Sequence, residues 1–231
     1  MSKSIKILHL ETSTEVCSVA ISSDGVLVAQ REVNKGFVHS AKGTLLVEAC
    51  LKAASMGMNN LDAVSVSAGP GSYTGLRVGF SMAKGICFAN DLPMITIPTL
   101  EALAYGVGKQ APGVVVSPMI DARRMEVYTA SFGDDLTIVA PLKALILDEQ
   151  SYRETFHSNK ENIFVGDGAH KVKEWLRSGR DVVMDKICSA SDQAELAFWK
   201  YKKEAFCDIA YTVPLYLKSP NITVSKKNLL T

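Results

Sequence analysis

The run Gly69-Pro70-Gly71-Ser72-Tyr73-Thr74-Gly75 sits between an apolar stretch and a helical pattern. Glycines there allow a tight turn, and free N–H groups at the helix start favour an anion. The spacing excludes several phosphate and nucleophile motifs. No Gly-Lys-Ser/Thr follows, so it is not a phosphate-binding P-loop. The order Gly-x-Gly-x-x-x-Gly is not the dinucleotide fingerprint, and no acidic residue ends the next strand. Pro70 stands two residues before Ser72, which excludes a nucleophile elbow. A tight turn packing the helix on a sheet is the favoured reading, with anion or partner contact as the alternative.

Other chemistry-bearing residues are scattered. Glu11, in Leu10-Glu11-Thr12-Ser13-Thr14, offers a carboxylate after the first apolar run, but no glycine is present to cradle a phosphate. Weak or absent nucleotide binding follows. His9, His39, His157 and His170 have no histidine at i+3 or i+4, so no metal pair is expected. His9 reads as a satisfied core residue, His39 as a cap neighbour or surface residue, and the other two as structural. Five cysteines at 17, 50, 87, 188 and 207 form no Cys-x-x-Cys pair and read as reduced, mostly buried thiols. Asp121-Ala122-Arg123-Arg124 reads as a charged hairpin stabilised by Asp121, with lobe orientation or partner contact as the alternative. No catalytic, cofactor-binding or metal-binding residue is assigned.

Composition bounds the classes further. The 231 residues are 47% hydrophobic and 21% charged, enough apolar material for a full core and too little charge for a disordered chain. The net charge of +1 argues against a stand-alone nucleic-acid binder. Residues 5–10 are too short for a signal-peptide core, and nothing approaches the roughly 20 apolar residues of a membrane span. A cytoplasmic protein is expected.

The elements that must position these residues recur in the same order. Residues 5–10, 16–21 and 26–33 read as strands, with Asp24-Gly25 as a hairpin turn. A helix capped by Ser40 runs to about residue 56, with Glu48 and Lys52 at i,i+4. A buried strand at 61–68 leads into the glycine run, then a helix over 74–89, a strand at 94–97 and a helix capped by Thr99. The second half predicts strands at 114–120, 125–132 and 136–139 and a helix capped by Asp148. A strand at 162–165 ends in Gly166-Asp167-Gly168. Helices carrying Val172, Trp175 and Leu176, and starting near Ser191, follow. A three-strand meander followed by helix-crossed strands, occurring twice, predicts an α/β duplicated actin-like (ASKHA, ribonuclease-H-like) fold with two lobes. The boundary falls in 106–112, giving lobes of 1–108 and 109–231, with the C-terminal tail packing back on the first.

The chain resembles the TsaB (YeaZ) family along almost its whole length. The resemblance rests on Ile7-Leu8-His9-Leu10-Glu11-Thr12-Ser13, Cys17-Ser18-Val19-Ala20, His39-Ser40 and the glycine run extended to Gly79. It continues in Ala83-Lys84-Gly85, Leu100-Glu101-Ala102-Leu103-Ala104, Asp121-Ala122-Arg123-Arg124 and Pro214-Leu215-Tyr216-Leu217. The family usually has Asp where Glu11 stands. The resemblance implies a non-catalytic partner in forming threonylcarbamoyladenosine at position 37 of ANN-decoding tRNAs. The implied partners are the catalytic paralogue TsaD and, through the complex, the ATPase TsaE, with tRNA bound only by the complex and a homodimer when alone. The catalytic paralogue carries a His-x-x-x-His metal pair, and the matching positions here are Thr99 and Leu103. The alternative is a stand-alone enzyme, either a metalloprotease-like (glycoprotease) hydrolase or a sugar-kinase-like protein.

The 74–89 helix carries only Arg77 and Lys84 as charges. A helix covering one sheet face has a wide polar back; this one is apolar nearly all round. A large exposed apolar patch marks an interaction site. The expected partner surface is therefore Leu76, Val78, Gly79, Phe80, Met82, Ala83 and Ile86, extended by the preceding helix.

Overall fold

Asp24 and Gly25 both take left-handed backbone angles, φ 50° and 80°, the two-residue turn that matches strand twist. They join β2 (Val16–Ser23) to β3 (Val26–Asn34), and β1 (Lys6–Glu11) pairs antiparallel with β2. The computed structural model describes residues 3–34, 39–108, 113–133, 135–156 and 160–218, with the side chains of 39–41 left aside. His157, the side chains of His39 and Ser40, and the middle of the expected lobe boundary lie outside the described residues.

The first half continues with α1 (His39–Ala53), β4 (Ala63–Gly69), α2 (Tyr73–Asn90), β5 (Met94–Pro98) and α3 (Thr99–Gly108). The second half holds β6 (Val115–Asp121), β7 (Glu126–Phe132), β8 (Ile138–Ile146), α4 (Glu149–Phe156), β9 (Asn162–Val165), β10 (Asp181–Met184) and α5 (Ala194–Lys202). The first sheet runs β3-β2-β1-β4-β5 and the second β8-β7-β6-β9-β10. In each, an antiparallel meander adjoins strands in parallel. The two orders are the same, so the duplicated two-lobe plan read from the sequence is the observed one.

Alternation along β1 assigns its two faces. Leu8 and Leu10 enter a core with Val47, Cys50, Phe80 and Ala83, on the α1 and α2 side. Ile7 enters the opposite core with Ile95, Ile97, Leu196 and Ala197, beneath α5. α5 thus returns to the first sheet.

Three local expectations are corrected. The third strand of the second half begins at Ile138 rather than 136 and is longer, because Leu136 sits in the turn with φ 63°. The Val172 and Trp175 segment is a 3-10 helix, Ala169–Trp175; its i,i+3 spacing suits three residues per turn. The segment near Ser191 opens as a 3-10 turn, Ala190–Gln193, before α5.

Candidate functional site

The glycine run closes on the first hairpin rather than on a ligand. Ser72 caps α2 by accepting the Gly75 N–H, and its own N–H donates to the Ser13 carbonyl at 2.7 Å. Thr12 Oγ1 donates to the Gly75 carbonyl at 2.8 Å. Carbonyl oxygens of Ser13 and Thr12 stand where Cβ atoms on Gly71 and Gly75 would be, and Thr12 Oγ1 does so at Gly79. These glycines are needed because a neighbouring backbone lies against the helix. Thr12, Ser13 and Thr14 are all buried. The favoured reading of a structural turn therefore describes this run.

Glu11 is buried beside that turn. Its Oε1 accepts the Ser13 N–H and hydroxyl at 2.7 and 2.6 Å, and Oε2 accepts the Ser67 hydroxyl. Burial raises its pKa against these donors. Gln193 donates to the Leu10 carbonyl and Ser67 Oγ, both at 3.0 Å, and accepts from Ser65. His9 bridges Ser65 and Ser22 at 2.7 and 2.8 Å. Burial lowers its pKa to about 3, so the ring is neutral, as the satisfied-core reading expected. Cys188 is buried near Ser13, and burial holds its thiol protonated. Every carboxylate oxygen of Glu11 is thus engaged by the chain itself. Sequence reasoning missed Gln193, which reaches this cluster from 126 and 128 residues away.

The second hairpin turn is exposed. Asp121 Oδ1 accepts the Arg123 N–H and the Lys171 ammonium, each at 2.6 Å. Arg123 and Arg124 both adopt left-handed φ, 72° and 52°, a conformation that costs about 1–2 kcal/mol per non-glycine residue. Asp121 stabilises the turn as expected.

Thr99 and Leu103, which the family resemblance matches to the metal pair, lie in the first turns of α3. Both are buried, and Thr99 Oγ1 has no hydrogen-bond partner, so the expected Thr99 cap is corrected: Thr99 is the first residue of α3 and its hydroxyl caps no N–H. A hydroxyl and an isobutyl group supply no imidazole nitrogen, so the pair does not fit a transition metal. Among the described residues no cluster of three His, Cys, Asp or Glu side chains is arranged to hold one.

The structure divides the expected partner residues. Leu76, Gly79, Phe80 and Ala83 are buried, on the stripe of α2 that meets the sheet. They are corrected as surface residues, because the chain's own core covers them. Val78, Met82 and Ile86 are half-buried. Val78 and Met82 line a groove of about 410 Å³ with Thr44, Tyr73, Arg77 and Ser81. Met82 packs on Gly43 of α1, where a Cβ would lie 2.5 Å from its sulfur. Leu45 of α1 and Phe88 of α2 are 60% and 85% exposed. The C-terminal segment flanks the same helix: Tyr216 stacks on Tyr73 at 4.9 Å, and Arg77 lies over the Tyr73 ring.

A family model described as "TsaD: tRNA N6-adenosine threonylcarbamoyltransferase" matches residues 37–222. The "tRNA threonylcarbamoyladenosine biosynthesis protein TsaB" of Haemophilus influenzae is 38% identical over 230 residues, covering 94% of this chain and 95% of that protein. The chain belongs to the TsaD-like family and, within it, to the TsaB proteins. TsaB of Escherichia coli is 27% identical over 93% of the chain and 95% of that protein. The chain also shares its fold with the solved structure "YeaZ from Pseudomonas aeruginosa". That match has a TM-score of 0.79 at 23% identity, over 92% of this chain and all of the other. A hydroxyglutaryl-CoA dehydratase component from Acidaminococcus fermentans matches at TM-score 0.56 and 12% identity, over 87% and 99% of the two chains. It extends the likeness in fold alone.

Proposed function

We propose that the chain is a non-catalytic subunit in the biosynthesis of threonylcarbamoyladenosine on tRNA. It binds the catalytic paralogue TsaD and, through that complex, the ATPase TsaE, and supports modification of position 37 in ANN-decoding tRNAs. The observation that carries this reading is Thr99 and Leu103 standing buried, at the positions matched to the metal pair of TsaD, in a chain like TsaB proteins along its length. With no metal-donor cluster among the described residues, contact with the partner is the role assigned to the subunit. The outward groove of α2 at Val78 and Met82, with half-buried Ile86 one turn beyond, is the surface assigned to TsaD, and to a second copy when TsaD is absent.

The lobes divide at 108/109, and the segment from Ala190 returns to the first. No described helix is long and apolar enough to cross a membrane, and the proposed work on tRNA assigns the chain to the cytoplasm.

The test is reconstitution with TsaD, TsaE, tRNA and threonylcarbamoyl-adenylate, followed by nucleoside analysis. The chain alone gives no modified nucleoside, and its addition to the partners stimulates formation. Modification by the chain alone, no stimulation, or one tightly held transition metal per chain overturns the reading.

A further inference from the structure

The segment Phe198-Trp199-Lys200-Tyr201-Lys202-Lys203-Glu204-Ala205-Phe206 interleaves aromatic rings with lysines, and the proposed function leaves it unused. It forms the end of α5 and the turn beyond. The inner side of α5, Leu196 and Ala197, is spent on Ile7, Ile95 and Ile97. Its outer side presents Trp199 at 45% exposure, and Phe206 follows at 40%. Neither ring is loose. Trp199 stands edge-on to Tyr105 at 5.2 Å and 76°, and Phe206 edge-on to Tyr201 at 5.4 Å and 69°.

Lys202 and Lys203, between the two rings in sequence, are exposed and have no carboxylate partner among the described residues. Lys200 is turned inward to the Thr96 carbonyl at 2.8 Å. The acids nearby are Glu204 in the same turn, Glu195 bonded to Tyr105, Asp62 paired with Lys3, Asp24 next to the Gly25 that lies against Phe198, and Asp208 two residues past Phe206, the last two accepting backbone N–H groups.

We infer that this surface binds single-stranded RNA, a local site that departs from the expectation, drawn from the net charge and the family resemblance, that RNA is bound only by the complex. An exposed ring stacks on any base face, and lysines beside it follow the phosphates, the two components of sequence-tolerant single-strand binding. Bracing by a second ring lowers the ordering cost of contact. Free ammonium groups favour a polyanion, and an acidic peptide would leave both rings without a planar partner. The surface also lies on the sheet face opposite α1 and α2, so a protein seated on those helices leaves it open. The inference rests on the tRNA reading for its source of RNA: the unpaired loops of a tRNA supply such a strand.

The test uses the full chain carrying Trp175→Phe, which leaves Trp199 as the sole tryptophan of two. Unlabelled 12-nucleotide oligo(A) and oligo(U) are titrated at several salt concentrations, with an RNA duplex and a poly-glutamate peptide as comparisons. Both single strands quench Trp199 fluorescence, and the duplex and the peptide do not. Trp199→Ala, followed by anisotropy of labelled RNA, weakens binding roughly 5- to 150-fold with an unchanged far-ultraviolet spectrum. Lys202→Ala with Lys203→Ala lowers the log–log salt slope by about 1.4, at about 0.7 per phosphate. Absence of quenching, equal quenching by poly-glutamate, or binding indifferent to all three substitutions overturns the inference. Such a failure beside intact stimulation of TsaD sinks this surface and leaves the proposed function standing. RNA binding without stimulation does the reverse.

Discussion

The carbonyl oxygen of Thr12 lies too close to Gly75 for a side chain to begin there. Two segments 63 residues apart are thereby held with backbone against backbone, joined by the Thr12 hydroxyl on the Gly75 carbonyl. A methyl group at 75 must displace the first hairpin or the start of α2. Overpacking of this kind costs about 1–3 kcal/mol, so Gly75→Ala lowers the urea midpoint. Gly85 on the same helix has open space around the same position. There Ala removes the glycine penalty, and Gly85→Ala gains about 0.5–1 kcal/mol. Equal effects of the two substitutions would contradict the close approach.

His9 makes stability fall in acid. Its folded pKa of about 3 lies below the unfolded value near 6.5, so the unfolded chain binds the proton first. Stability from the neutral ring is present above about pH 6.5 and is lost as pH falls toward 3, at up to about 1.4 kcal/mol per pH unit. Glu11 acts in the opposite sense. Burial raises its pKa, so its contribution is present below the unfolded value and lost as pH rises through the folded one. Urea melts between pH 4 and 8 separate the two. His9→Gln flattens the acid limb; an unchanged limb would show that another group governs it.

Gln193 ties the C-terminal half to the first sheet. Its amide satisfies Leu10, Ser65 and Ser67 at once, all buried. Gln193→Leu strips three partners from buried polar groups, each loss costing about 1–3 kcal/mol before relaxation. The variant is expected to unfold several kcal/mol more easily, whereas Gln150→Leu, on the exposed side of α4, changes little. Comparable melts for the two would mean that water replaces the amide.

The sequence made the hairpin at Asp24-Gly25, the Asp148 cap and the repeated strand order legible, because each has a local chemical cause. It did not reveal which apolar stripe of α2 meets the sheet. Leu76 and Phe80 recur four residues apart, and so do Val78 and Met82. Hydrophobicity alone does not rank two such stripes; Thr12 and the core of β4 do. β10 escaped because four residues beside a turn carry little periodicity. Gln193 escaped because its partners lie more than a hundred residues away.

The two stripes of α2 lead to opposite outcomes for the same chemical change. Leu76 is fully buried against the sheet, so Leu76→Glu places an unpaired carboxylate in the core and unfolds the chain. Val78 and Met82 border the groove between α1 and α2. Met82 also rests on Gly43, so Val78→Glu is the milder substitution and Met82→Glu the companion. Both retain a cooperative melt, and each weakens association with TsaD by roughly 2–4 kcal/mol, a factor of about 30 to 1,000. Titration calorimetry against TsaD gives the affinity, and sedimentation of the chain alone gives self-association. A folded Val78→Glu variant that binds TsaD normally would move the partner surface off this groove. A folded Leu76→Glu variant would reverse the assignment of the stripes.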